Sequence, residues 1–379
     1  MISAFRLWCA VLLLATGFAA PAGAADIFTV RGIHVDKTAE SATAARAAAQ
    51  AEGQRLALTA MMRKLTLPED WPSLPEVDDA TAQNAVRGFQ VASERTSSTR
   101  YIAEMIVSFQ PEAVRRLLRG ANIAFGETQA RPALLLPVLN RDGQPILWED
   151  DNPWRGAWAS LEPGDEMTPL ILPIGEIMEI NAVPAATALS SSEEALAALT
   201  GLAANYGANE VIIAEATPGD TGVRVTLTRR GGIGTSEPLT GTYERRDREM
   251  ADVMKAAAAD MLNSLSTQWK RQIIVRDSRI STMVVQADFA NLTEWEGIRK
   301  GLTSTPLVQG MEVAGISSRG AEIRISHKGS TEMLALSLAQ QNVDLARADA
   351  PNLDEAAAPV DAFSSAAAPA PQWRLTVRR

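Results

Sequence analysis

Leu134-Leu135-Leu136-Pro137-Val138-Leu139 contains no polar residue. A strand with one wet face alternates apolar and polar side chains. A strand that is apolar throughout has both faces covered, as in a sheet layered by helices. The same character returns at Leu170-Ile171-Leu172-Pro173-Ile174 and at Glu210-Val211-Ile212-Ile213-Ala214. Helical stretches separate these runs. Asn152-Pro153 opens one, since Asn is a favoured N-cap and Pro suits the first helical position. Ser191-x-x-Glu194 has the form of a capping box before a helix that ends near Gly207. Gly219-Asp220-Thr221-Gly222 turns the chain into the alternating strand 223–227, and a further strand lies near 239–243. Met254, Ala258, Met261, Leu262, Leu265 and Trp269 line one face of a helix over 249–269. Residues 131–272 therefore read as an α/β domain with a mixed sheet.

Upstream, residues 26–125 read as a compact α+β domain in the order β-α-α-β-β-α. A strand covers 28–35 and an Ala-rich helix covers 41–65. Pro68, Pro72 and Pro75 interrupt the chain, and a shorter helix spans 80–89. A hairpin follows. Tyr101, Ala103, Met105, Val107 and Phe109 alternate along its second arm, and Pro111 opens a last helix. Downstream, residues 276–349 run β-α-β-β-α-β, the order of a ferredoxin-like unit. In that unit Asn291 caps a helix whose inner face carries Trp295, Ile298 and Leu302, and His327 falls in the turn before Gly329. The Ala/Pro-rich stretch 350–371 cannot build a core and reads as a disordered linker. Beyond it, 372–379 holds the alternating peptide Trp373-Arg374-Leu375-Thr376-Val377, which either returns as an edge strand or stays free. The fold class is thus α+β with α/β, in three small domains.

The first residues read as a secretory signal over 1–24. Arg6 precedes an apolar run from Leu7 to Ala20, and Ala22-Gly23-Ala24 forms the cleavage site. Periplasmic location follows as an expectation, and no later run is long enough to span a membrane. The one cysteine, Cys9, lies inside that signal, so the mature chain has no thiol for a disulfide or a nucleophile. The net charge of -9, with no basic stripe interleaved with aromatics, argues against nucleic acid as a partner.

No catalytic centre stands out. His34 and His327 lie in different domains, and no G-x-S-x-G elbow occurs. Gly231-Gly232-Ile233-Gly234 lacks the Lys-Ser/Thr of a phosphate loop and sits between strands. The most distinctive stretch runs from Leu147 to Trp158. Trp148, Glu149, Asp151, Trp154, Arg155 and Trp158 could form a sugar platform of aromatic faces and carboxylates. The spacing of Trp154, Trp158 and Leu161 instead marks the buried face of a helix capped by Asn152, and this reading is the stronger one.

The Ala-rich first helix, Arg131 to Pro137, Leu147-Trp148 through Asn152-Pro153-Trp154 to Trp158, and Ala208 to Ile212 together resemble an exported bacterial family. That family is known only as a domain of unknown function, number two thousand sixty-six. The middle domain is distantly similar to the N-terminal domain of the Tol-system translocation protein. Both resemblances rest on packing and capping residues. They imply a shared fold and transfer no functional residue. The expectation is a non-enzymatic protein without cofactor or metal. It would act through contacts with other envelope proteins in envelope assembly or maintenance. The rival is a cell-wall glycan binder using Trp148 to Trp158, and an enzyme with an acidic site is a third reading.

Overall fold

The computed structural model describes residues 27–161, 166–231, 237–276, 279–347 and 373–378. The expected signal at 1–24, the Ala/Pro-rich stretch at 350–371 and most of the Gly231–Gly234 loop lie outside the described residues.

The first unit contains β1 (Thr29–Thr38), α1 (Ala42–Leu65), a 3-10 turn (Pro68–Ser73), α2 (Asp79–Ala85), β2 (Val86–Thr96), β3 (Arg100–Phe109) and α3 (Pro111–Gly120). Ser41 Oγ accepts from the Ala44 N–H and starts α1. The sheet is antiparallel in the order β1-β3-β2. Tyr101, Ala103, Met105, Val107 and Phe109 of β3 are all buried, as their alternation requires. The small residues of α1 let it approach this sheet closely. A Cβ at Gly53 would lie 2.4 Å from Met105 Sδ. The helix expected over 80–89 stops at Ala85. Val86 pairs with Phe109 and Phe89 with Val107, so cross-strand pairing with β3 prevails over local helical pattern.

The second unit contains β4 (Ala133–Arg141), β5 (Gln144–Ile146), α4 (Pro153–Ala159), β6 (Leu170–Ile171), α5 (Ile177–Ala182), α6 (Ala185–Leu189), α7 (Glu193–Asn205), β7 (Glu210–Gly219), β8 (Gly222–Gly231), β9 (Leu239–Glu244) and α8 (Met250–Ile273). The mixed sheet runs β5-β4-β7-β8-β9, with β4 parallel to β7 and the short β6 also beside β4. Both faces of β4 are covered. Leu134, Leu136 and Val138 join one core with Leu199 and Leu202 of α7. Ala133, Leu135 and Leu139 join another with α4 and α8. Asp142 and Gly143 both have positive φ, the geometry of a two-residue hairpin between β4 and β5. Three details differ from the sequence reading. The 170–174 strand ends at Ile171, the cap of α7 is Ser192 rather than Ser191, and two short helices occupy 177–189.

The third unit contains β10 (Ile280–Asp288), α9 (Leu292–Ser304), β11 (Val308–Ile316), β12 (Gly320–Lys328), α10 (Thr331–Ala339), β13 (Val343–Arg347) and β14 (Trp373–Val377). The β-α-β-β-α-β order holds, but the sheet order is β11-β12-β10-β14-β13. The terminal peptide is neither free nor an edge strand. It is inserted between β10, to which it is parallel, and β13, to which it is antiparallel. His327 lies within β12 and is buried, not in the following turn.

α8 runs past the expected end at Trp269 and into the neighbouring unit. Trp269, Ile273 and Ile274 pack in the first unit's core, while Met254, Met261 and Leu265 belong to the second. The Trp269 indole N–H donates to the Thr128 carbonyl (2.7 Å), and the Thr128 hydroxyl meets Ser337 (3.2 Å) of the third unit. One helix therefore enters two cores, and the segment at 128 joins all three units.

Candidate protein-contact surface

Asn152 positions the tryptophan stretch. Its side-chain oxygen accepts from the N–H groups of Trp154 (3.1 Å) and Arg155 (3.2 Å), while its amide donates to the carbonyls of Pro137 (3.2 Å) and Leu147 (3.3 Å). The cap is buried, so α4 is fixed to β4 as well as started. Trp154 and Trp158 are fully buried and meet edge to face, with centroids 5.6 Å apart and planes at 76°. The Trp154 indole donates to the Ala214 carbonyl of β7 at 2.7 Å. Neither ring presents a face to a sugar.

The acids of the stretch are occupied locally. Glu149 accepts from the Leu147 N–H (2.8 Å), and Asp151 pairs with Arg141 (2.7 Å). Both carboxylates shape the loop before α4.

Trp148 and Arg155 converge on a different element, the chain from Pro173 to Ile180. Arg155 reaches from α4 and donates to the carbonyls of Pro173 (2.9 Å) and Ile174 (2.8 Å). The Trp148 indole donates to the Val183 carbonyl (2.8 Å), and its ring lies over Gly175. Gly175 has φ +90°, and a Cβ there would meet the Trp148 ring at 3.3 Å. This is a place that requires glycine. Glu179 completes the arrangement by accepting from the N–H groups of Gly175 (2.7 Å) and Glu176 (2.9 Å). The Tyr206 hydroxyl donates to Glu179 and accepts from the Ile174 N–H (3.2 Å). Burial works against charge on Glu179. The Tyr206 hydroxyl, the two N–H groups and the nearby Arg155 outweigh it and hold the carboxyl below its ordinary value.

This polar frame holds an apolar edge out in solvent. Ile174, Ile177 and Met178 are 73%, 77% and 82% exposed. α5 packs against α7, whose first turn carries the exposed Glu193 and Glu194, and Glu176 is exposed between the apolar side chains. The surface is thus an apolar ridge with an acidic border. Sequence reading singled out Trp148 and Arg155 as candidate ligand-binding residues and missed the ridge. Its one local signal is Ile177-Met178-x-Ile180, an apolar run with no helical partner pattern around it.

A cleft of about 550 Å³ lies between the first and second units, lined among others by Leu56, Arg63, Lys64, Trp71, Glu166 and Lys270. Its cations serve the junction. Lys270 is buried and donates to the carbonyls of Arg63 (3.0 Å) and Thr66 (2.5 Å) at the end of α1, where the helix dipole favours a cation. Burial pushes its ammonium down to about 8. Lys64 donates to the Thr29 carbonyl (3.1 Å), and the Arg63 guanidinium lies over the Trp71 ring (5.4 Å).

Residues 28–127 match a family model described as a domain of unknown function (DUF8605). The match carries a different number from the family the sequence resembles, and it covers the first unit rather than most of the chain. No curated protein matches the chain. The first unit is therefore similar to a domain of unknown function, and the ridge at 174–178 lies outside the matched residues.

Proposed function

We propose that this chain is a non-enzymatic, exported periplasmic protein that works through protein contacts in envelope assembly or maintenance. The ridge Ile174-Ile177-Met178 is the surface that makes the contact. One observation carries the reading. Three large apolar side chains stand in solvent on a backbone that a half-buried polar frame holds in place. Covering each is worth about 1.5–3 kcal/mol, and a pre-ordered backbone lowers the entropic cost of binding. The acidic border selects a partner with an apolar groove and a basic rim.

The compartment is supported by the leader-like start and the thiol-free remainder of the chain. Among the described residues no helix is long and apolar enough to cross a membrane.

Methionine oxidation tests the reading. In the purified protein Met178 should oxidise faster than the buried Met254 and Met261. In intact cells Met178 should be protected several-fold, and Ile177→Asp should remove the protection without lowering the melting temperature. Equal oxidation of Met178 inside and outside the cell would reject the surface.

A further inference from the structure

A ferredoxin-like sheet usually closes by pairing its first and last strands, which here are β10 and β13. In this unit they are not hydrogen-bonded to each other. Each is completed on its inner side by β14 alone. β14 shares five register pairs with β13 but only two with β10, Gln286 with Arg374 and Ala287 with Leu375. Leu375 is its one fully buried side chain. The remaining anchors lie along the slot. Arg374 faces Asp288 (3.9 Å), Arg378 faces Asp344 (4.0 Å), and the Arg347 guanidinium sits over the Trp373 ring (5.6 Å). The slot therefore recognises a basic strand with leucine at the inward position.

The connection to β14 is far longer than its geometry needs. Arg347 and Trp373 are opposite each other, so β13 and β14 are hairpin neighbours, yet residues 348–372 lie between them. A hairpin of this kind needs only about 2–5 residues. At about 3.3 Å per extended residue, the connection lets β14 reach well beyond its own sheet. We infer that β14 is an exchangeable strand, and that the slot between β10 and β13 takes the same strand from a second copy of this chain. The second copy fits by construction. It brings the same leucine, the same arginines toward Asp288 and Asp344, and the same tryptophan toward Arg347. The tether sets the balance. A covalent connection gives the resident strand an effective concentration of about 1 mM, so exchange follows local protein concentration.

Asp344 and Thr376 are directly paired across β13 and β14, at a separation that suits a disulfide. In a Cys9→Ser background, the double variant Asp344→Cys with Thr376→Cys should close a disulfide within one chain. Mixing the two single variants near millimolar concentration should give a covalent heterodimer. It should exceed the homodimers either variant forms alone and grow with concentration. Adding Leu375→Asp to the Thr376→Cys copy should abolish it. A double variant that closes within one chain, combined with no heterodimer at any concentration, would overturn the exchange. A double variant that fails to close would overturn the slot itself.

Discussion

The Arg155 guanidinium donates to the Ile174 carbonyl at 2.8 Å, so a residue of the tryptophan stretch holds up the first side chain of the exposed ridge. The stretch weighed as a sugar platform, and read more strongly as a buried helix face, also carries the mounting of the exposed apolar ridge. Replacing Arg155 with Ala should therefore loosen the ridge and leave the sheet intact. Hydrogen bonds to charged groups contribute about 1.5–3 kcal/mol. Amide exchange at Gly175 and Glu176 should accelerate about 10-fold or more, while amides of β4 and β7 keep their protection. Unchanged exchange at Gly175 would mean that Arg155 bears no load there.

Acid should act on the same frame through Glu179. Its folded carboxyl sits below the ordinary value of 4.5, so its contribution is complete above that unfolded value. That contribution is lost as pH falls through the lowered folded value. After correction for intrinsic exchange rates, opening at Gly175 and Glu176 should be flat from neutral pH to about 5 and should rise below about 4. Glu179→Gln should open these amides at neutral pH and remove the acid dependence.

The two buried tryptophans should separate from the ridge in their effects. Trp154→Ala or Trp158→Ala should each cost about 3–5 kcal/mol in denaturant unfolding, because both rings are fully enclosed. Trp154→Phe should cost about 1 kcal/mol more than Trp158→Phe. Trp154 loses a bond to the Ala214 carbonyl, whereas the Trp158 indole nitrogen has no partner among the described residues. A stable Trp154→Ala protein would contradict the packing described here.

Lys270 should show itself in alkali. Its folded pKa is about 8 and its ordinary value 10.5, so between these the unfolded chain holds more protons and stability rises with pH. The contribution is complete above 10.5 and is lost as pH falls through 8. Relative to Lys270→Met, the natural protein should gain stability from pH 8 toward 10.5, by about 3 kcal/mol at most. Comparing the two cancels the titration of all other groups. A parallel pH course for both would contradict the burial of this ammonium.

Local rules made much of this fold legible. The apolar run at Leu134 to Leu139 is covered on both faces, Asn152 and Asn291 are the caps their positions suggested, and the alternation from Tyr101 to Phe109 points into a core. What was not legible depends on distant partners. Val86 to Phe89 could continue a helix and turns to strand only because β3 lies beside it. Trp373 to Val377 alternates like any half-buried strand, and nothing in it names β10 and β13 as neighbours. The site divides in the same way. Trp148 and Arg155 stood out by composition, but the ridge they support is fixed by Gly175, Glu179 and Tyr206, each unremarkable in its own stretch.

Site-specific photo-crosslinking in intact cells tests the central claim most directly. A photoreactive residue replacing Met178 should give one discrete, high-yield adduct with another envelope protein, and Ile177→Asp in the same chain should abolish that adduct while the melting temperature holds. Leu292 is 69% exposed on a different unit and serves as the control position. No adduct from 178, or the same pattern from 178 and 292, would contradict the assignment of the ridge as a protein-contact surface.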